Sequence, residues 1–429
     1  MGPSGYGGTV RLKRVALLAA LAAALGCGRA AGDGDAIQLW ALGHEGTAAT
    51  KLVAEFERTH PGTRVRVQQI PWSAAHEKIL TAYAGSALPD VFQVGNTWIP
   101  ELVALGAIER LDDRLAASPG VARDDYFPGV WETNVVEGGT YGVPWYVDTR
   151  LLFYRTDLLM AVGAREFPRT WTAWTAVMER IRQPGRWPIF LPATEWQTPV
   201  VLALQLGGAL LRDGDTRGNF RSEPVRRAFT FYVDLFRRGL APRGADAVVA
   251  NVWQEFGRGY FAFWPSGPWN LAEMDARLPP DAKDRWSTAP FPAPDGGTWP
   301  GASLAGGASL VVARGSPRAD AAWRLVEWLS DPAQQARFWE LAGDLPARRT
   351  PWHRAVLRAS PKAEAFWVQL QAVRPTPRIP EWERIAAAVG RWSERMIRED
   401  VAVDPGLEAL DREVDEVLEK RRWLERRTD

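Results

Sequence analysis

Ala36-Ile-Gln-Leu-Trp-Ala-Leu42, Arg64-Val-Arg-Val-Gln-Gln69 and Pro89-Asp-Val-Phe-Gln-Val94 decide the fold, together with what lies between them. The first is an apolar run of strand length, followed by the loop Gly43-His-Glu-Gly46. From about Thr47 the apolar period changes. Leu52, Val53 and Phe56 fall on one helical face, and His60-Pro61-Gly62 stops the helix. Val65, Val67 and Gln69 then alternate with Arg64, Arg66 and Gln68, the pattern of a half-exposed strand. A second helix over roughly Ala74 to Tyr83 separates it from the short buried strand 89–94. This is β-α-β-α-β, the grammar of an α/β lobe built on a mainly parallel sheet.

Outward from that stretch, residues 142–154 (Gly-Val-Pro-Trp-Tyr-Val-Asp-Thr-Arg-Leu-Leu-Phe-Tyr) read as an extended segment long enough to leave one lobe and enter another. Thr170 suits a helix N-cap, with Trp174, Val177, Met178 and Ile181 at i, i+3, i+4 and i+7 behind it. Residues 184–199, rich in Pro and Trp, read as loop, and helices follow near 200–211 and 224–238. Phe261-Ala-Phe-Trp264 is a strand, Pro265 to Asn270 a turn into a helix, and Gly306 to Ala313 a strand again. Ser316-Pro317 and Ser330-Asp-Pro332 start helices, the second ended by Gly343. From about Trp352 the chain reads as mostly helical, broken by Pro375 to Pro380. It contains no internal repeat.

The amino terminus is a targeting segment rather than structure. Arg11, Lys13 and Arg14 precede the apolar run Val15 to Leu25, which is too short to span a bilayer and of the length of a signal-peptide core. Gly26-Cys27 ends it, a small residue and then a cysteine, as in the lipobox where the thiol receives lipid; the alternative is an ordinary cleaved signal. Residues 1–26 are therefore expected to be a lipoprotein signal, Cys27 the lipid attachment, and 27–35 a tether. Cys27 is the only cysteine, which excludes an intrachain disulfide framework and a thiolate metal site in the body. A net charge of +1 gives no electrostatic reason for nucleic-acid capture. The outlying number is 22 tryptophans. Indoles fill cores, and they also stack on the C–H faces of sugar rings; a third to a half of them are expected to line a cleft.

Several ordered motifs point to one family. They are Pro89-Asp-Val-Phe92, Tyr141-Gly-Val-Pro-Trp-Tyr-Val-Asp148, Leu151-Leu-Phe-Tyr154, Phe167-Pro-Arg-Thr-Trp171, Ser266-Gly-Pro-Trp-Asn270, Gly306-Gly-Ala-Ser-Leu-Val-Val312, the run from Asp320 to Pro332, and Gly343-Asp-Leu-Pro-Ala-Arg348. Over nearly the whole body the chain resembles the carbohydrate-binding, maltose-binding-like group of extracellular solute-binding proteins that serve ABC importers. The resemblance implies two α/β lobes joined by three hinge crossings, near Tyr146–Asp148, Ser303–Gly307 and Leu345–Arg348, with the ligand between the lobes. The first lobe would be 36–146 plus 305–345 and the second 147–304 plus 346–429. It further implies a sugar ligand, a permease pair as partner, no cofactor, no catalysis, and a monomer held at the membrane by its lipid.

A sugar needs flat aromatics for its faces and fixed polar groups for its hydroxyls, in a cleft that excludes water. Ligands of open α/β lobes lie beyond the carboxyl ends of strands. His44 and Glu45 after the first strand, Trp72 after the second, and Gln93, Asn96, Thr97 and Trp98 at the third are accordingly candidates. The resemblance adds Tyr146, Asp148, Gly307 and Arg348 at the crossings, the acidic-aromatic segment Glu195-Trp196-Gln197, and Trp269 as the stacking indole. Trp264 and Trp382 stand between cleft and core. Asp148 has an alternative use, a hinge salt bridge with Arg150, and Arg348 another, pinning its crossing. Trp171, Trp174, Trp323 and Trp328 read as core. Of rival classes, a glycoside hydrolase would need two carboxylates flanking the bond, and no local motif marks them. The four histidines are scattered without metal-ligand spacing. The same fold could hold a polyamine, which wants several cleft carboxylates, or an anion, which wants Arg or helix N-termini.

Overall fold

Strands β1 (Ile37–Leu42), β2 (Val65–Ile70) and β3 (Val91–Gly95) pair in parallel with β1 in the middle. The computed structural model describes residues 35–244, 251–354, 357 and 360–426; Cys27 and the expected signal segment 1–26 lie outside them. The helix Glu45–Thr59 buries Leu52, Val53 and Phe56 as its period requires, and His60 is its C-cap. It begins two residues before Thr47, which puts Glu45 in the first turn, where the helix dipole favours a carboxylate. The helix Trp72–Ala84 likewise starts earlier than its apolar face suggests.

The extended segment 142–154 is two strands in different sheets. β4 (Val143–Asp148) belongs with β1–β3, whereas β5 (Leu151–Arg155) joins a second sheet, so Thr149 and Arg150 are the first crossing. The second sheet adds β6 (Trp187–Ile189), β7 (Phe261–Ser266) and β8 (Trp286–Ala289), in the order β8-β5-β7-β6. The chain returns at Ser303–Leu304, paired with Val373–Arg374, and enters β9 (Gly306–Val312), antiparallel to both β3 and β4. β10 (Leu345–Pro346) completes the first sheet, β10-β4-β9-β3-β1-β2, before the chain crosses a third time. This is the two-lobed α/β architecture of the periplasmic binding proteins.

Two glycines make the second crossing possible. A Cβ on Gly306 would lie 2.2 Å from the Asp148 carbonyl oxygen, and one on Gly307, whose φ is +144°, 2.3 Å from that of Tyr146. β9 therefore begins in direct backbone contact with the end of β4, and Gly307 keeps a conformation that side chains rarely adopt.

Most of the tryptophan excess is packing. Ten of the 22 are buried, among them Trp145 stacked on Phe338 at 4.2 Å, and Trp174 and Trp382. Each such burial removes a large apolar face from water, worth about 1.5–3 kcal/mol per large side chain. Trp171, Trp174 and Trp323 are in the core as read, and Trp328 packs edge-on to Phe56. Helix starts follow the sequence signals: Thr170 Oγ1 accepts from the Ala173 amide at 3.2 Å, and the Asp331 side chain from Ala333 at 2.7 Å.

Candidate functional site

A cavity of about 460 Å³ opens where the ends of β1, β3 and β4 face loops of the second sheet. On the first-lobe side its wall is a chain of donors ending on one carboxylate. Gln93, fully buried on β3, accepts the Leu42 amide at 2.8 Å and donates Nε2–H to the Tyr146 hydroxyl at 3.2 Å. Tyr146 donates to Glu45 Oε1 at 2.7 Å, and Trp72 Nε1–H donates to the same oxygen at 3.0 Å. Glu45 Oε2 is buried without a hydrogen bond. Its neighbour is His44, whose Nδ1 lies 3.4 Å away and whose Nε2 lies 3.2 Å from Asp344 Oδ2. Asp344 sits just before β10.

This cluster fixes the charge of the wall. Asp344 and then Glu45 stabilise the imidazolium and raise the His44 pKa to about 9, against burial. Burial, with Glu45 adding to it, pushes Asp344 up to about 6. Ligating atoms of His44, Glu45 and Asp344 come within 4.8 Å of one another, a grouping the sequence spacing of the histidines did not announce. A ring charged at neutral pH between two carboxylates already occupies that geometry. Linkage gives a direction. The His44 contribution to stability is fully present below 6.5 and is lost as pH rises through about 9. Wild type should therefore lose more thermal stability between pH 7 and 10 than His44→Gln. Equal losses in paired melting scans at the two pH values would refute this charge assignment.

Asn96 holds the second crossing, its Nδ2 donating to the Ala305 carbonyl at 2.8 Å. Beside it Trp98 packs edge-on to Trp72 at 5.7 Å, and His76, bonded to Glu101 at 2.7 Å, lies against Trp98. Asp148 is half-buried at the first crossing, and burial raises its pKa against the pull of Arg150. The two form no ion pair. The Arg150 guanidinium lies instead over the Trp269 ring, 4.6 Å from its centroid. From the second lobe come Trp269 at the start of the helix Asn270–Arg277, and Trp196 and Gln197 at the start of the helix Gln197–Gln205. Gln197 Oε1 is a buried acceptor without a partner.

The structure thus gathers His44, Glu45, Trp72, Asn96, Thr97, Trp98, Tyr146, Asp148, Trp196, Gln197, Trp269 and Gly307 around one cavity. Five candidates are not part of its lining. Gln93 stands behind the wall and orients Tyr146, since its alternating strand position faces inward. Trp264 is 7% exposed in the core against Phe153, and Trp382, fully buried, supports Trp196 edge-on at 5.4 Å. Glu195 is half-buried beside Trp196 without reaching the cavity. Arg348 is buried and spends its donors inward, on Asp125 at 2.6 Å, Gly120 O at 2.8 Å and Ser330 O at 3.0 Å. Four tryptophans line the cavity, fewer than the third to a half expected. Among the lining residues that were not singled out are Arg150, Asp344, Thr376 and Glu383. Asp344 and Arg150 had a signal, because each immediately adjoins a crossing motif.

These features define a receptor whose ligand site lies between two lobes, and the chain belongs to the bacterial extracellular solute-binding proteins, whose family pattern matches residues 40–336. It is similar to the sugar-binding protein MalE of Xanthomonas citri, a solved structure, at 46% identity and a TM-score of 0.87, covering 91% of this chain and 98% of that one. It is 26% identical over 361 residues to the diacetylchitobiose-binding protein DasA of Streptomyces coelicolor, covering 82% of each. It is 28% identical over 365 residues to an uncharacterised lipoprotein of Streptomyces antibioticus, covering 79% of this chain and 77% of the relative. These relatives are not named as enzymes. Among the described residues no helix is long and apolar enough to cross a membrane.

Proposed function

We propose that the chain is the sugar receptor of an ABC importer, binding an oligosaccharide between its lobes and passing it, as a monomer, to a permease pair. The observation that carries this reading is the composition of the cavity. Trp72 and Trp98 from one lobe and Trp196 and Trp269 from the other line it, with two acceptors that take no hydrogen bond, Glu45 Oε2 beside His44 and Gln197 Oε1. Indoles offer faces to sugar C–H groups, and orphan acceptors await hydroxyl donors. The names of the similar MalE and DasA proteins support a sugar. The lobes expected as 36–146 with 305–345 and 147–304 with 346–429 are instead divided after β4, before β9 and after β10, because Val147, Asp148 and Pro346 pair within the first sheet, and they close by a hinge at these three crossings. The cavity residues bind and orient; no bond is broken.

One observation favours a second reading. Four carboxylates, Glu45, Asp148, Asp344 and Glu383, line the cavity, which would also suit a polyamine. Intrinsic tryptophan fluorescence titrated with maltose, trehalose, diacetylchitobiose, putrescine and sulfate separates the two. Saturable quenching or shift is expected with a disaccharide. A response to putrescine alone would overturn the sugar assignment, and hydrolysis of a bound disaccharide would overturn the receptor role.

Lipid on Cys27 would keep such a receptor beside its permease, and the likeness to a protein named as a lipoprotein supports it. Cys27→Ser should move the chain from the membrane fraction to the soluble one. A wild-type chain that is already soluble and unacylated by mass would remove the anchor.

A further inference from the structure

We propose that Arg150 is the cleft's own occupant of the Trp269 stacking face, and that a sugar binds by exchanging with it. The inference rests on the sugar reading above. Three observations carry it. The guanidinium lies over the indole, 4.6 Å from its centroid, and both residues line the cavity. The indole is half-buried and packs so tightly against Gly267 that a Cβ there would come within 1.7 Å of a ring atom. The protein therefore already covers part of the ring, and Arg150 covers a face. Finally, the guanidinium makes no hydrogen bond or ion pair with the described residues, so the ring contact is its main attachment.

A sugar ring and a guanidinium cannot lie on the same indole face. Stacking of ligand must release Arg150, which costs the cation–π contact but leaves a flexible, charged donor group free. An acceptor is at hand. Asp148, two residues earlier at the end of β4, is half-buried, lines the cavity, and its carboxylate accepts no hydrogen bond from the described residues. The exchange hands the guanidinium from Trp269 to Asp148 or to an acceptor oxygen of the ligand. Occupancy of the stack thereby changes contacts at residues 148–150, where the chain passes between the lobes. Arg150 is in this account a residue that sets affinity by competition, distinct from one that simply donates to bound sugar.

The two roles predict opposite signs. The full chain carrying 5-fluorotryptophan gives one ¹⁹F line per indole, and Trp269→Phe identifies the line of interest. In ligand-free protein, Arg150→Ala should shift the Trp269 line more than any other; a stationary line overturns the cap. Calorimetric titration with maltose and diacetylchitobiose should then show Arg150→Ala binding about two- to fivefold tighter than wild type, the scale of an exposed cation–π contact. Equal or weaker binding overturns the exchange, and weaker binding makes Arg150 a direct donor. If wild type binds no sugar at all, the sugar reading falls, while the fluorine line still decides whether Arg150 caps the ring.

Discussion

Arg348→Met should lower folding stability by about 3–5 kcal/mol, the usual cost of breaking a buried ion pair by removing one partner. Chemical denaturation should show it as a fall in midpoint, while the folded fraction retains wild-type affinity for its sugar. The side chain is 5% exposed and its guanidinium joins Asp125, the Gly120 carbonyl and the Ser330 carbonyl. Those partners lie on segments far apart in sequence, and the Arg348 amide is itself held by Gln335 Oε1 at 2.9 Å. Methionine keeps much of the aliphatic volume but removes the guanidinium that lies 5.5 Å from the Tyr126 ring centroid, and leaves two carbonyls and the Asp125 carboxylate short of donors. Asp125 also accepts from the Thr350 amide and hydroxyl, so the loss reaches the turn that carries the chain onward from the third crossing. A large loss of affinity with little loss of stability would restore Arg348 to the ligand site and remove its pinning role.

The contrast between Arg348 and Asp344 shows where sequence reading stops. Both sit in one short motif that contains β10. Motif and period specify backbone course, because strand alternation and helix caps are local. Which of two charged residues five positions or fewer apart turns inward depends on partners distant in the chain: Asp125 for Arg348, His44 for Asp344. The same holds at the end of β3, where Gln93 and Asn96 lie three positions apart. Gln93 points behind the wall to Tyr146 and Asn96 lies at the cavity, tied to Ala305. The fold was legible because the first sheet is announced by three runs of alternating or apolar sequence. Half of the twelve candidates at the cavity followed from the rule that ligands meet strand ends, and the other half from the family resemblance. Trp264 and Trp382 were ambiguous because an indole fits a core as readily as a cleft, and only the packing around it decides.

Trp269→Ala should weaken sugar binding by about 1–3 kcal/mol, in the range of an aromatic contact at the centre of a binding site, with little change in melting temperature. Stability is spared because the indole is half-buried and stands at the edge of the short helix Asn270–Arg277, whose buried contacts come from Asn270 and Met274. The size of the effect carries more information than its sign. In wild type the indole is already engaged by Arg150, so truncation removes a contact from the free protein as well as from the complex. What titration reads is the difference between sugar stacking and guanidinium stacking, which places wild type near the lower end of the range. In the Arg150→Ala background nothing competes, and the same truncation should cost more, by about the worth of one cation–π contact. Calorimetry on the wild type, the two single variants and the double variant closes the cycle. An effect of Trp269→Ala that is identical with and without Arg150 would mean that the two side chains meet only in the empty cleft's geometry, with no bearing on how sugar enters.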